Sequence, residues 1–77
     1  MIKKTYQKKL AKIVSDLENL KYELEECRDA IEERADERGR DMTDKEQEKF
    51  DEYDSAIDEL DYAIDQLSEL VDYSELD

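Results

Sequence analysis

Arg38-Gly39-Arg40-Asp41-Met42-Thr43-Asp44-Lys45-Glu46 holds the one glycine of a 77-residue chain that has no proline. Glycine enters the left-handed conformation without steric cost, and a basic residue just before it suits the last turn of a helix. Thr43-Asp44-Lys45-Glu46 then reads as a capping box, in which the threonine hydroxyl and the glutamate carboxylate satisfy the first free amides of a new helix. One helix stops and another starts within a few residues. Met42 precedes the cap, placed to staple onto Gln47 or the nearby core.

The flanks agree with a turn here. Upstream, Tyr6, Leu10, Ile13, Leu17, Leu20, Leu24, Cys27 and Ile31 alternate at steps of four and three. Downstream, Phe50, Tyr53, Ile57, Leu60, Ile64, Leu67 and Val71 alternate at steps of three and four. That is the 3.5-residue repeat of a coiled-coil seam; strands would need period two. The spacing predicts an all-α fold, an antiparallel two-helix coiled-coil hairpin formed by residues 1–77 as one unit. The first helix is expected over about residues 3–38, the turn over 39–43 and the second helix over about 44–73. At ~1.5 Å per residue the helices would be roughly 54 and 45 Å long.

Folding the chain back at residues 40–41 brings the two seams into register layer by layer. Ile31 meets Phe50, Cys27 meets Tyr53, Leu24 meets Ile57 and Leu20 meets Leu60; Leu17, Ile13 and Leu10 then meet Ile64, Leu67 and Val71. The same register sets Arg28 beside Asp54 and Lys21 beside Asp61. It also lays the lysine-rich start (Lys3, Lys4, Lys8, Lys9, Lys12) against Glu69, Asp72 and Glu75. Exposed pairs of this kind add only ~0.2–1 kcal/mol each, so they select orientation more than they stabilise.

Composition excludes several functions. The 25 acids outnumber the 12 bases, there is no histidine, and the net charge is −13. With 38% hydrophobic residues the chain lies near the disordered range, so the regular repeat has to supply the core. The single cysteine makes no internal disulfide and no zinc site, and Cys27 reads as a small apolar seam residue. No apolar run approaches the roughly 18–20 residues of a membrane span, and the early lysines precede no signal core. A soluble, cytoplasmic chain is expected. Enzyme chemistry lacks a histidine, a phosphate loop and room for a pocket between two helices. A di-iron site would need Glu-x-x-His motifs, and Asp51-Glu52-Tyr53-Asp54 lacks the glycine of a calcium loop. No catalytic, cofactor or metal site is expected.

What remains is binding. A lone two-helix hairpin buries one stripe per helix and is marginal at this size. Ala56, Ala63 and Leu70 form a small-residue stripe on one flank of the second helix, and Val14, Ala30 and Ala35 lie beside the first seam. Val14, Ala56, Ala63 and Leu70 are the candidates for self-association, as a homodimer that makes a four-helix bundle. Alanine's good helix propensity is the competing explanation. Tyr22 and Tyr62 fall on the outer side of the repeat.

The charge is unevenly placed. Residues 1–12 carry five lysines and no acid, whereas residues 50–77 carry 11 acids and no base. Asp51, Asp54, Asp58, Asp61 and Asp65 recur at steps of three and four, with Asp72 continuing the row. On a helix they make a ribbon of carboxylates about 5 Å apart, comparable to the phosphate repeat of a nucleic-acid strand. A purely solubilising face would more naturally use glutamate, the better helix former. The ribbon is therefore read either as a solvated face or as the binding surface for a protein partner with a basic groove. The same charge disfavours direct binding of nucleic acid.

The turn and the start of the second helix also carry a resemblance. Glu37 to Glu46, followed by Phe50-Asp51 and Ile57-Asp58-Glu59-Leu60, resembles the N-terminal scaffold (delta) domain of tailed-phage major capsid proteins. That family shows a similar Gly-Arg-x-Leu/Met-Thr turn, Phe-Asp and Ile-Asp-x-Leu. The resemblance covers roughly residues 34–70 and implies a helical hairpin that guides coat-protein assembly before a phage protease removes it. A separate scaffold, an excised domain or an unrelated small phage protein are each compatible expectations. The expected function is thus a non-enzymatic, phage-encoded acidic protein that inhibits a nucleic-acid-handling host protein by mimicry. The alternatives are an assembly module like the delta domain, or a designed hairpin with no biological role.

Overall fold

A computed structural model describes residues 2–75 and consists of two long helices folded back on each other. Helix α1 spans Lys4–Arg38 and α2 spans Asp44–Leu70; a 3-10 turn follows at Tyr73–Glu75. The hairpin is a rod with extents of 53 × 18 × 13 Å.

The turn forms as its residues dictate. Gly39 sits in the left-handed region at φ 68° and donates its N–H to the Asp36 carbonyl, while the Arg40 N–H reaches the Ala35 carbonyl. These two bonds close α1 as a Schellman motif. The Glu46 N–H donates to Thr43 Oγ1 at 3.2 Å, and the Thr43 N–H donates to Glu46 Oε1 at 3.0 Å, so the capping box is complete. Arg38 adds a second device by donating through both terminal nitrogens to the two Glu46 oxygens. One carboxylate thereby ties the end of α1 to the start of α2. Met42 in the turn is half-buried.

The register agrees with the expected ion pairs. Lys21 Nζ lies 2.8 Å from Asp61, and Arg28 Nη1 lies 3.0 Å from Asp54. The core holds Val14, Ile64 and Val71, with Leu10, Ala11, Leu17 and Leu67 packed against them; Ile31, Ala35 and Ile57 are buried nearer the turn.

The phase of α1 differs from the expected seam by one residue. Leu10, Leu17, Leu24 and Ile31 face α2 as anticipated, but the alternating row is Gln7, Val14, Lys21, Arg28 and Ala35. Tyr6, Ile13, Leu20 and Cys27 lie on the outside, with Ile13 47% and Leu20 42% exposed. Both rows sit three or four residues from the shared one, so periodicity alone does not choose between them. The chosen row lets the stems of Lys21 and Arg28 cover the seam while their charges reach Asp61 and Asp54. Arg28 also lies 6.0 Å from the Phe50 ring centroid. Ala35, 4% exposed, is buried next to the turn.

The second helix ends at Leu70, short of the expected boundary near 73. Val71 is extended at ψ 126°. Gln7, 6% exposed, accounts for the stop: its Nε2 donates to the Leu70 carbonyl at 3.0 Å, and its Oε1 accepts from the Asp72 N–H at 2.7 Å. One side-chain amide thus replaces the next helical bonds. The lysine-rich start was expected to pair with the acidic end. Among the described residues, Lys3, Lys4, Lys8, Lys9 and Lys12 form no ion pair with Glu69 or Asp72, and the neutral Gln7 makes the contact instead. The Glu75 side chain lies outside what the structure describes.

Candidate functional site: two opposed faces

Helical geometry turns the sequence rows into faces, since each residue advances ~100°. On one broad side, α1 presents Glu18 and Lys21 next to Asp61 of α2, and these residues line a shallow groove with Tyr22 and Ile64. Asp54 and Asp61 occupy the α2 row beside the seam on this side, with Asp51, Asp58 and Asp65 in the next row outward. On the opposite side, Cys27, Ala30, Ile31 and Arg34 of α1 share a groove with Lys49 and Tyr53 of α2. The exposed α1 row from Tyr6 to Cys27 belongs to that side, as do Ala56, Ala63 and Leu70. One broad side of the hairpin is therefore acidic, and the other carries exposed apolar residues beside Arg34 and Lys49.

The six ribbon carboxylates do different things. Asp51, Asp58 and Asp65 are exposed one heptad apart along α2; Asp51 accepts a hydrogen bond from Gln47 Nε2 at 2.9 Å. Asp54 and Asp61 hold Arg28 and Lys21, which bind the two helices together. The Lys21 ammonium is held above its ordinary value, foremost by its hydrogen bond to Asp61. Asp72 lies past the helix end, where its Oδ1 accepts from the Ser74 N–H at 3.1 Å and opens the 3-10 turn. Four of the six, Asp51, Asp58, Asp61 and Asp65, are thus exposed along the helix; Asp61 and Asp54 also pair across the hairpin, and Asp72 serves the turn.

The expected self-association residues divide as well. Ala56 and Ala63 are half-buried and Leu70 is 50% exposed, all on the apolar side. Val14 is 2% exposed and lies in the core, so it is not on a flank. Cys27, expected in the seam against Tyr53, is exposed, although it shares a shallow groove with that ring. Tyr22 and Tyr62 are exposed as anticipated. Sequence reasoning passed over Gln7, whose signal was available: an uncharged polar residue in a heptad row that otherwise holds Val14, Lys21, Arg28 and Ala35.

Glu46 is the most perturbed titrating group. The Arg38 guanidinium, followed by the Thr43 backbone N–H, pulls its carboxyl down to about 2. This shift belongs to the turn and not to either face. Among the described residues, no group of three His, Cys, Asp or Glu side chains is placed to hold a metal ion, and no helix is long and apolar enough to cross a membrane. Comparison with protein-family models, curated proteins and solved structures finds no match.

Proposed function

We propose that this chain is a non-enzymatic interaction protein whose acidic side occupies a basic groove on a nucleic-acid-handling protein and inhibits it. The observation that carries the reading is the outward row of Asp51, Asp58 and Asp65, backed by the partly exposed Asp54 and Asp61 on the same side of α2. A rigid helix holds these short side chains at fixed spacing, so a groove that binds phosphates meets an ordered array of anions. Release of the groove's counterions makes such binding steeply salt-dependent. The unpaired, exposed Cys27 suits a reducing compartment such as the cytoplasm of a phage's host.

The test is an affinity capture from host lysate with the wild-type chain and with a variant carrying Asp51→Asn, Asp58→Asn and Asp65→Asn together. These exchanges leave the ion pairs to Lys21 and Arg28 in place, and circular dichroism checks that helicity is kept. A basic nucleic-acid-binding protein should be captured by the wild type, eluted by salt or duplex DNA, and lost with the variant. Capture unchanged by the three asparagines, or indifferent to duplex DNA, overturns the reading.

The apolar side favours a second reading, an assembly module of the kind the delta-domain resemblance implies. It acts through Leu70, Ala63 and the exposed α1 row, and survives the asparagine series. Ala63→Glu and Leu70→Glu would then abolish association.

A further inference from the structure

Half of the apolar arc of α1 has no cover in the hairpin. Tyr6, Ile13, Leu20 and Cys27 stand one heptad apart on one face, each exposed, with the half-buried Leu10, Leu17 and Leu24 beside them. A long, narrow apolar face of this kind marks an interaction surface. Its row spans 21 residues, roughly 32 Å at the helical rise. With a rod 18 Å across, the face projects roughly 600 Å² per copy. Interdigitated side chains bury more than their projection, which approaches the about 800 Å² per partner of a standard interface.

Charge decides both the occupant and its direction. Residues 2–16 and 65–75 share one end of the rod and carry five bases and five acids, so that end is neutral. Residues 17–64 form the remainder and carry seven bases against 19 acids, a net charge of −12. Two copies stacked in parallel would oppose −12 to −12. Stacked antiparallel, each lysine-bearing end lies over the acidic portion of the other copy. The apolar row supports that arrangement, because it is symmetric about a point midway between Ile13 and Leu20.

We propose that a second copy of this chain packs antiparallel on this face, forming a two-fold four-helix bundle in which Ile13 meets Leu20 and Tyr6 meets Cys27 across the interface. The contact is isologous, so the same patch serves both copies. Ala56 and Ala63 on the same side let the facing helices approach closely. The acidic sides then point outward in opposite directions. The proposal stands apart from the mimicry reading, since it uses the opposite face and needs no foreign partner.

Sedimentation equilibrium of the full chain tests it. The expected mass is twice 9.2 kDa at high micromolar concentration. Ile13→Glu with Leu20→Glu should raise the dimer dissociation constant about 100-fold or more. The helical signal should persist at the monomer mass, because neither residue supports the hairpin core. Direction is read from spin labels at Glu37→Cys in a Cys27→Ser background, a site near the turn and clear of the interface. Antiparallel stacking places the two labels roughly 60 Å apart along the axis, whereas parallel stacking brings them within about 30 Å. A monomeric wild type, a dimer untouched by the double glutamate change, or the short label distance each overturns the proposal.

Discussion

Glu46 shows how much one side chain settles. It completes the capping box with Thr43 and receives both terminal nitrogens of Arg38, so it serves the second helix and the hairpin together. Its carboxyl is held at about 2, below the ordinary 4.5, first by Arg38. A carboxyl depressed in the folded state stabilises above its unfolded value, and that contribution is lost as pH falls through the folded one. The melting temperature of the wild type should therefore exceed that of Glu46→Gln above about pH 5. The gap should close between about pH 4.5 and pH 2, as seen by thermal melts in paired buffers. A gap that does not change with pH would mean that the charge on Glu46 contributes nothing. The capping half of this role was readable from Thr-x-x-Glu. The Arg38 half was not, because it depends on the angle at which the turn returns the chain.

At the scale of the helices, the period was readable and the phase of α1 was not. Leu10, Leu17, Leu24 and Ile31 are common to both possible seams, and α2 is too narrow to cover both neighbouring rows. Packing selects the row with Val14 and Ala35 and leaves Ile13 and Leu20 outside. Ile64→Ala should cost about 2–5 kcal/mol, the range for truncating a buried aliphatic side chain to alanine. Ile13→Ala should change stability by less than about 0.5 kcal/mol where the chain is monomeric, as surface substitutions do. Urea denaturation followed at 222 nm separates the two seams. Equal losses at the two positions would return Ile13 to the core. The end of α2 belongs to the same scale. Its sequence continues to favour a helix past Leu70, yet the Gln7 amide, 63 positions away in the chain, takes the carbonyl that would continue it.

At the scale of the whole molecule, the governing quantity is a net charge of −13 on a rod 53 Å long. Four ion pairs are formed among the described residues, against 25 acids in the chain. Repulsion among the unpaired carboxylates opposes the compact state and is screened by salt, since the Debye length falls from roughly 30 Å at 0.01 M to about 3 Å at 1 M. Raising sodium chloride across that range should raise the melting temperature. A falling melting temperature would mean that the bridging pairs Lys21–Asp61, Arg28–Asp54 and Arg38–Glu46 outweigh the repulsion. The charge is unevenly spread at this scale: the aspartates of α2 collect on one broad side, and the other carries the exposed apolar row of α1 beside Arg34 and Lys49. The alternation of acids along α2 foreshadowed the acidic side. The apolar side appears only after α1 is rotated to its true phase.

Local chemistry was enough to make this chain a helical hairpin and to place its turn. Glycine conformation, the capping box and the heptad spacing are local properties that the residues carry with them. Which row of α1 is covered, that Gln7 closes α2, and which ribbon carboxylates pair across the hairpin were settled by packing. Each of those outcomes compares alternatives nearly equal in local energy, and the choice lies with the contacts made when the two helices meet.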